Sequence, residues 1–449
     1  MLRPGACTMT VFLLLVLQAL LMGGVDGIVD KYECMLFYSN VEQCNASAAR
    51  DCTAIQPLDA APAQSHLHIV SIGHHGFGNE LFQHTFALML ARHVGVPWSQ
   101  VYLTKQTVVR SDGGTGRKSY IDTNTDQSSR AIETLTAHTR GALVYKDPAA
   151  LPGFCSPENP NALYFPLSAN VTPDVYRTIV DPKVRTPRCL ILWGFFQHTH
   201  AYRPPFLCPE VLSTWNSALA SYRVDENKKR RSDSSSIMIS GSSLSTIEKK
   251  NKGEENKNDV AIPISSMDMA VYLRCSFVHY DFDHPIFYAT ILNATRGSYE
   301  QLYVFKAPEC NKVMHKHHFH SRMHTVTAML KQDYGATIVR RVKDVTDDGD
   351  ENEGPGKGVG ALAILDDFER LTSAGQLLLP ASTWATWAAL LTSAKKVHLK
   401  FNRKSWPVLL PADDRFIYHD PDTHQYFGTY DAHSGEIRYP PQQQTLLEQ

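Results

Sequence analysis

Three stretches of the chain carry residue types that can grip an anionic ligand. In Gly76-Phe77-Gly78-Asn79-Glu80, glycines stand where an apolar strand turns into a helix. Glycines there let a ligand approach the backbone and meet the positive helix end. In Tyr272-Leu273-Arg274 an arginine ends a strand, where ligand-facing residues of α/β sheets emerge. Its guanidinium can hold a phosphate in bidentate fashion. In the segment 377–391 a strand runs through Ser382 and Thr383 into a helix, so that free N–H groups and two hydroxyls are directed at one point. Each stretch alone also has a plainer reading: a tight turn, a surface ion-pair arginine, a hydroxyl helix cap. Trp384 and Trp387, three apart on the last helix, read as core residues.

Proton transfer needs a base, and the carboxylate of Glu80 is one candidate. It is equally suited to be a favourable anion at a helix N-terminus. His279, Asp281 and Asp283 are alternative bases. Asp281-Phe282-Asp283 also spells a D-x-D metal motif, but three-residue matches are frequent. His315, His317, His318, His320 and His324 read as a polar surface loop rather than a zinc site, and the glycine run 354–360 lacks P-loop spacing. No metal is expected, and no C-x-x-C pair suggests a zinc ribbon or redox centre.

The elements that must position these residues alternate between strand and helix. Apolar runs at 67–73, 141–145 and 189–193 read as strands of one sheet, with a helix whose stripe is Phe82, Phe86, Leu90 and Val94. Asn79 suits its N-cap, and Gly95 and Pro97 its end. Runs at 269–274, 302–305, 336–342, 377–379 and 397–399, with helical patterns at 365–374 and 383–394, read as a second sheet. The expected fold is therefore α/β, with two Rossmann-like domains facing a cleft. The first domain spans residues 63–222 and the second residues 263–410. Between them, residues 223–262 are rich in Ser, Lys, Glu and Asn and without aromatics, which predicts a disordered insert. Residues 347–360 form an acidic loop and residues 411–449 a C-terminal extension of hairpin-like turns.

The N-terminus addresses the chain to the secretory pathway. After Arg3, residues 4–25 carry no charge, which predicts either a signal peptide ending at residue 27 or a short membrane anchor. Residues 28–62, with Cys34, Cys44 and Cys52, read as a disulfide-stapled stem. Sequons at Asn45, Asn170 and Asn293 fit a lumenal glycoprotein of the Golgi or endoplasmic reticulum. A formal net charge of −1 gives no general attraction to nucleic acid or to an acidic membrane surface. Any anion must be held locally.

Taken in order, the three stretches resemble the α1,2-fucosyltransferase family, over roughly residues 67–401 without the two inserts. Gly76-Phe77-Gly78-Asn79-Glu80-Leu81-Phe82-Gln83 is similar to the family's G-x-G-N-Q-x-F-Q opening, and Trp193-Gly194-Phe195-Phe196-Gln197 to its G-Y-x-Q segment. Tyr272-Leu273-Arg274 occupies the position of its H-x-R-R-G-D signature. Asp367 precedes Ser382 by 15 residues, the family's spacing, and Ser382-Thr383-Trp384-Ala385-Thr386-Trp387-Ala388-Ala389 is similar to S-[ST]-F-S-W-W-A-A. The resemblance implies a GT-B fold and inverting, metal-independent transfer of fucose from GDP-fucose to a glycan hydroxyl on a glycoprotein or glycolipid. It implies Arg274 at the β-phosphate, Ser382 and Thr383 at the diphosphate, and Asp367 near the guanine. The signature is altered, however: Tyr272, Cys275 and Phe277 stand where the family has His, Arg and Asp. That departure motivates a rival reading, a glycan- or nucleotide-sugar-binding protein that keeps the fold without turnover, or a transferase for another nucleotide sugar. A nicotinamide-dependent oxidoreductase is disfavoured by the lack of G-x-G-x-x-G.

Overall fold

The computed structural model describes residues 66–74, 76–105, 120–156, 159–165, 178–179, 181, 183–194, 196, 208–239, 264–274, 285–307, 319–339, 359–380, 382–400, 413–419, 426–430 and 437–438. They form an α/β protein of two sheets, as the Rossmann-like GT-B reading expects. The first sheet contains Leu67–Gly73 (β1), Val101–Lys105 (β2), Val144–Tyr145 (β3), Ala162–Phe165 (β4) and Arg188–Leu192 (β5). Its order is β3-β2-β1-β5-β4, and every pairing is parallel.

The second sheet is built from Met269–Leu273 (β6), Leu302–Lys306 (β7), Thr337–Ile338 (β8), Gln376–Leu379 (β9), Lys396–Lys400 (β10), Phe416–His419 (β11), Tyr426–Tyr430 (β12) and Ile437–Arg438 (β13). Its order is β13-β12-β11-β10-β9-β6-β7-β8. Pairing is parallel from β11 to β8, and β12 and β13 add antiparallel strands at the edge. The C-terminal extension thus includes strands of the sheet itself.

Both faces of the parallel strands are covered, which is why they read as unbroken apolar runs. On β6, Met269, Val271 and Leu273 pack with Phe287 and Ile291 of helix Pro285–Ala294. Ala270 and Tyr272 point the other way, into a core continuous with the first sheet. That shared core lies between the sheets. It is filled by helices Phe77–Val94 (α1), Tyr120–Ala137 (α2) and Pro209–Ile239 (α3) on one side, and Val359–Ser373 (α4) and Thr383–Leu391 (α5) on the other.

Helix α1 is buried along almost its whole length. It starts at Phe77 rather than after Asn79, because the Gly76 carbonyl accepts the N–H groups of Asn79 and Glu80 at 2.9 and 3.0 Å. Gly76 has φ 104°, a conformation open to glycine. The stretch expected to begin at residue 223 as a disordered insert is helical as far as Ile239, since α3 continues without a break. Arg223 pairs with Glu369 of α4, and the Tyr222 hydroxyl donates to Asp366 at 2.9 Å, so α3 is tied to the second lobe just where it leaves the first. Helix α4 likewise begins at Val359, inside the span assigned to the acidic loop. The strands β2 and β4 and the helix α2 were not anticipated from the sequence.

Cys155 and Cys189 form a disulfide that fastens the segment after β3 to β5. Among the described residues no helix is long and apolar enough to cross a membrane, and residues 4–25 lie outside them, as do Asn45, Asn170 and the stem cysteines. Asn293 lies exposed in the last turn of Pro285–Ala294, its side-chain oxygen accepting from Tyr334 at 3.1 Å.

The lobes meet closely at Gly78. A Cβ added there would lie 2.3 Å from the Trp384 backbone nitrogen and 2.6 Å from the Thr383 carbonyl carbon. Because the obstruction is backbone, it cannot rotate away, and the first turns of α1 and α5 would have to part. Gly78→Ala should destabilise the protein by about 1–3 kcal/mol or more, measured by urea unfolding, while Ala87→Gly, on the same helix, acts only through propensity and cavity terms.

Candidate functional site at the seam of the two lobes

In a doubly wound sheet a crevice opens at the carboxyl ends of the strands where the strand order reverses. In the second sheet the reversal falls between β6 and β9, paired from Met269↔Gln376 to Val271↔Leu378. Arg274 immediately follows β6, and Ser382-Thr383 follow β9 and open α5. The two stretches with anion-binding character therefore leave adjacent strands on either side of the reversal.

Trp384, in the first turn of α5, is where the separate motifs converge. Its ring stacks on Tyr272 of β6, centroids 4.1 Å apart. It meets Phe368 of α4 edge-on at 5.3 Å, and Phe368 meets Phe77 of α1 at 5.2 Å. Gly78 lies against its backbone. Offset and edge-to-face rings of this kind are favourable beyond the area they bury. Trp387, one turn on, is wholly buried against Phe82, 5.2 Å away. The glycine turn, the Arg274 strand, the Asp367 helix and the Ser-Thr turn, well separated in sequence, thus come together around one aromatic cluster.

Individual placements differ from what the sequence suggested. Ser382 is 2% exposed, and its Oγ accepts the Ala385 N–H at 3.0 Å. That bond makes it the N-cap of α5 and leaves the O–H as a donor. Thr383 and Arg274 are partly exposed. Asp367 is buried in α4 beside Phe368. Asn79 is partly exposed in the first turn of α1. His279, Asp281, Asp283, His315, His317 and His318 lie outside the described residues, and among the described residues no group of three or more His, Cys, Asp or Glu could hold a metal.

Glu80 is a correction of a different kind. It faces the interior of the first lobe, without solvent exposure, and accepts a hydrogen bond from Ser129 of α2 at 3.1 Å. Burial pushes its carboxyl up to about 8, the Ser129 bond offsetting this in part. Its geometry is that of a structural acid joining α1 to α2, not of a base open to a ligand. Other polar residues of α1 are engaged in the same manner. Gln83 pairs with His74, His84 Nδ1 with Ser71 at 2.9 Å, and Thr85 accepts the Trp215 indole N–H at 3.0 Å. Burial holds His84 down at about 3, hence neutral. Ser129 escaped sequence reading because α2 did. The spacing of Ser128, Ala131, Ile132 and Leu135, all buried, was the available signal.

No protein-family model matches the chain, and no curated protein matches its sequence. Among solved structures it is similar to the fucosyltransferase NodZ from Bradyrhizobium, at 14% identity and a TM-score of 0.35, covering 74% of this chain and 93% of that one. It is similar to a family 9 glycosyl transferase from Veillonella parvula at 9% identity and a TM-score of 0.31, covering 86% and 91%. A mutant of Arabidopsis thaliana FUT1 in complex with GDP is similar at 12% identity and a TM-score of 0.34, covering 82% and 78%.

The raised Glu80 carboxyl fixes a pH dependence. Its folded value near 8 exceeds the ordinary 4.5, so the stability it contributes is complete below about 4.5 and is lost as pH rises through 8. Glu80→Gln keeps the shape and an acceptor for Ser129 without the titration. The variant should lose up to about 1.4 kcal/mol per pH unit of slope between these values and be the more stable protein at pH 8, read from urea unfolding across pH.

Proposed function

We propose that the chain is a glycosyltransferase that transfers fucose from GDP-fucose to a glycan hydroxyl, as an inverting α1,2-type enzyme in the secretory pathway lumen. The observation that carries this reading is the strand reversal between β6 and β9, adjacent strands that are followed by Arg274 and by the Ser382-Thr383 turn. A nucleoside diphosphate leaving group develops negative charge as the bond to the sugar breaks. In this reading Arg274 meets that charge at the β-phosphate, and Ser382 and Thr383 hold the diphosphate. Asp367 belongs to the guanine end of the site. The acceptor oxygen bonds to the anomeric carbon from the opposite side, the electron pair leaves with GDP, and the acceptor proton passes to a base among His279, Asp281 and Asp283, which follow β6 in the sequence. Glu80, buried at Ser129, serves to position α1. No metal is assigned a role.

A second reading, a protein that binds nucleotide sugars or glycans without turnover, is favoured by one specific observation. Tyr272 fills the signature histidine position with a ring stacked on Trp384 and only 6% exposed. It packs where the resembled family places a polar group.

The two readings separate in one experiment. Thermal shift with GDP-fucose, other nucleotide sugars and GDP, with and without Mn²⁺, should show stabilisation by the guanine nucleotides independent of Mn²⁺. GDP release with a panel of acceptor glycans should then accompany binding, and Arg274→Ala should reduce it at least about a hundredfold with the melting temperature of the free protein unchanged. Binding without release supports the second reading, and full turnover in Arg274→Ala removes Arg274 from the site.

A further inference from the structure

The first sheet has a strand reversal of its own, between β1 and β5, since β2 and β3 lie to one side of β1 and β5 and β4 to the other. His74 follows β1 there and Trp193 follows β5. We propose that Trp193, flanked by His74 and Phe196, is a platform on which a sugar ring of the glycan acceptor stacks. This rests on the reading above and gives it an acceptor subsite.

Three observations support the platform. Trp193 is partly exposed, and its backbone N–H donates to the Phe165 carbonyl, so the ring is carried on rigid sheet rather than on a free loop. Its indole N–H is buried without a partner among the described residues. An unsatisfied buried donor is uncommon in native proteins, and one at a strand reversal marks a place for an acceptor from a ligand. Phe196 has φ 45°, a left-handed conformation that a bulky side chain rarely adopts. It is held there with its ring stacked on the buried Phe86, centroids 4.7 Å apart and planes within 4°. Backbone outliers of this kind persist where surrounding structure enforces them, and they cluster at ligand sites.

His74 adjoins Trp193 and is itself buried. Its ring centroid lies 6.1 Å from that of Trp193 with the planes at 49°, so the two rings adjoin without covering each other. Gln83 accepts the His74 backbone N–H on Oε1 at 2.9 Å and donates from Nε2 to Nδ1 at 2.7 Å. That pairing leaves the proton of the neutral ring on Nε2 and fixes the ring's orientation. A hexopyranose presents C–H bonds on one face and hydroxyls around its rim. The electron-rich face of an indole suits the C–H face. A nucleobase would also stack on indole, and the test must tell the two apart.

The full chain would be titrated with N-acetyllactosamine by saturation-transfer NMR, screened on a glycan array, and titrated separately with GDP. Trp193→Ala should weaken the glycan recognised by the unmodified protein about tenfold or more, leave GDP affinity unchanged, and be largely rescued in Trp193→Phe. Phe196→Gly, which accommodates the positive φ while deleting the ring, serves if Trp193→Ala does not fold, and should weaken the same glycan. Unchanged glycan affinity in the folded variants, lost GDP affinity in Trp193→Ala, or no glycan bound by the unmodified protein each overturns the platform. Glycan binding that depends on Trp193, in a protein that binds no GDP, leaves the platform standing and overturns only the donor assignment.

Discussion

Residue 78 has no side chain because the backbone of another helix occupies the space one would fill. The approach of α1 to the start of α5, 2.3 Å from a notional Cβ to the Trp384 nitrogen, fixes how the two sheets sit against each other. The Tyr272–Trp384 stack, the Phe368 edge contact and the Ser382 cap assemble around the turn that Gly78 admits. A glycine at such a position is a packing requirement first. A ligand-facing role for the turn would come in addition.

Helix α1 shows how the interior is made specific as well as apolar. A helix buried all round needs few directional contacts for stability, yet its polar residues tie it to three different elements: Gln83 and His84 reach β1 and its end, Glu80 reaches α2, and Thr85 and Arg92 reach α3. Such contacts forbid rotation or sliding of the helix, since any shift strands a buried polar group. The same economy keeps Glu80 neutral near pH 7, its carboxyl held close to 8 by burial.

The sheets were legible in the sequence where strands are continuous apolar runs, as at β1, β5, β6 and β9, and helix α1 was legible from its four-residue stripe. Strand β2, VYLTK, is short and ends on polar residues, and α2 opens on a polar stretch, YIDTNTDQSS, so neither announced itself. The continuation of α3 to Ile239 ran against a composition poor in apolar residues, and its ties to α4 through Tyr222 and Arg223 depend on contacts across more than a hundred residues of chain. For the site, residue types and spacing picked out Arg274, Ser382 and the glycine turn. They could not reveal that Glu80 turns inward, because that depends on Ser129 of an unrecognised helix. Nor could they assign a role to Trp193 and Phe196, which gain significance from sheet order and backbone conformation.

A structure of the protein crystallised with GDP tests the central claim most directly. The account predicts the diphosphate at the carboxyl ends of β6 and β9, against Arg274 and the first turn of α5. GDP bound instead at the reversal between β1 and β5, or with its phosphates away from Arg274, would contradict it.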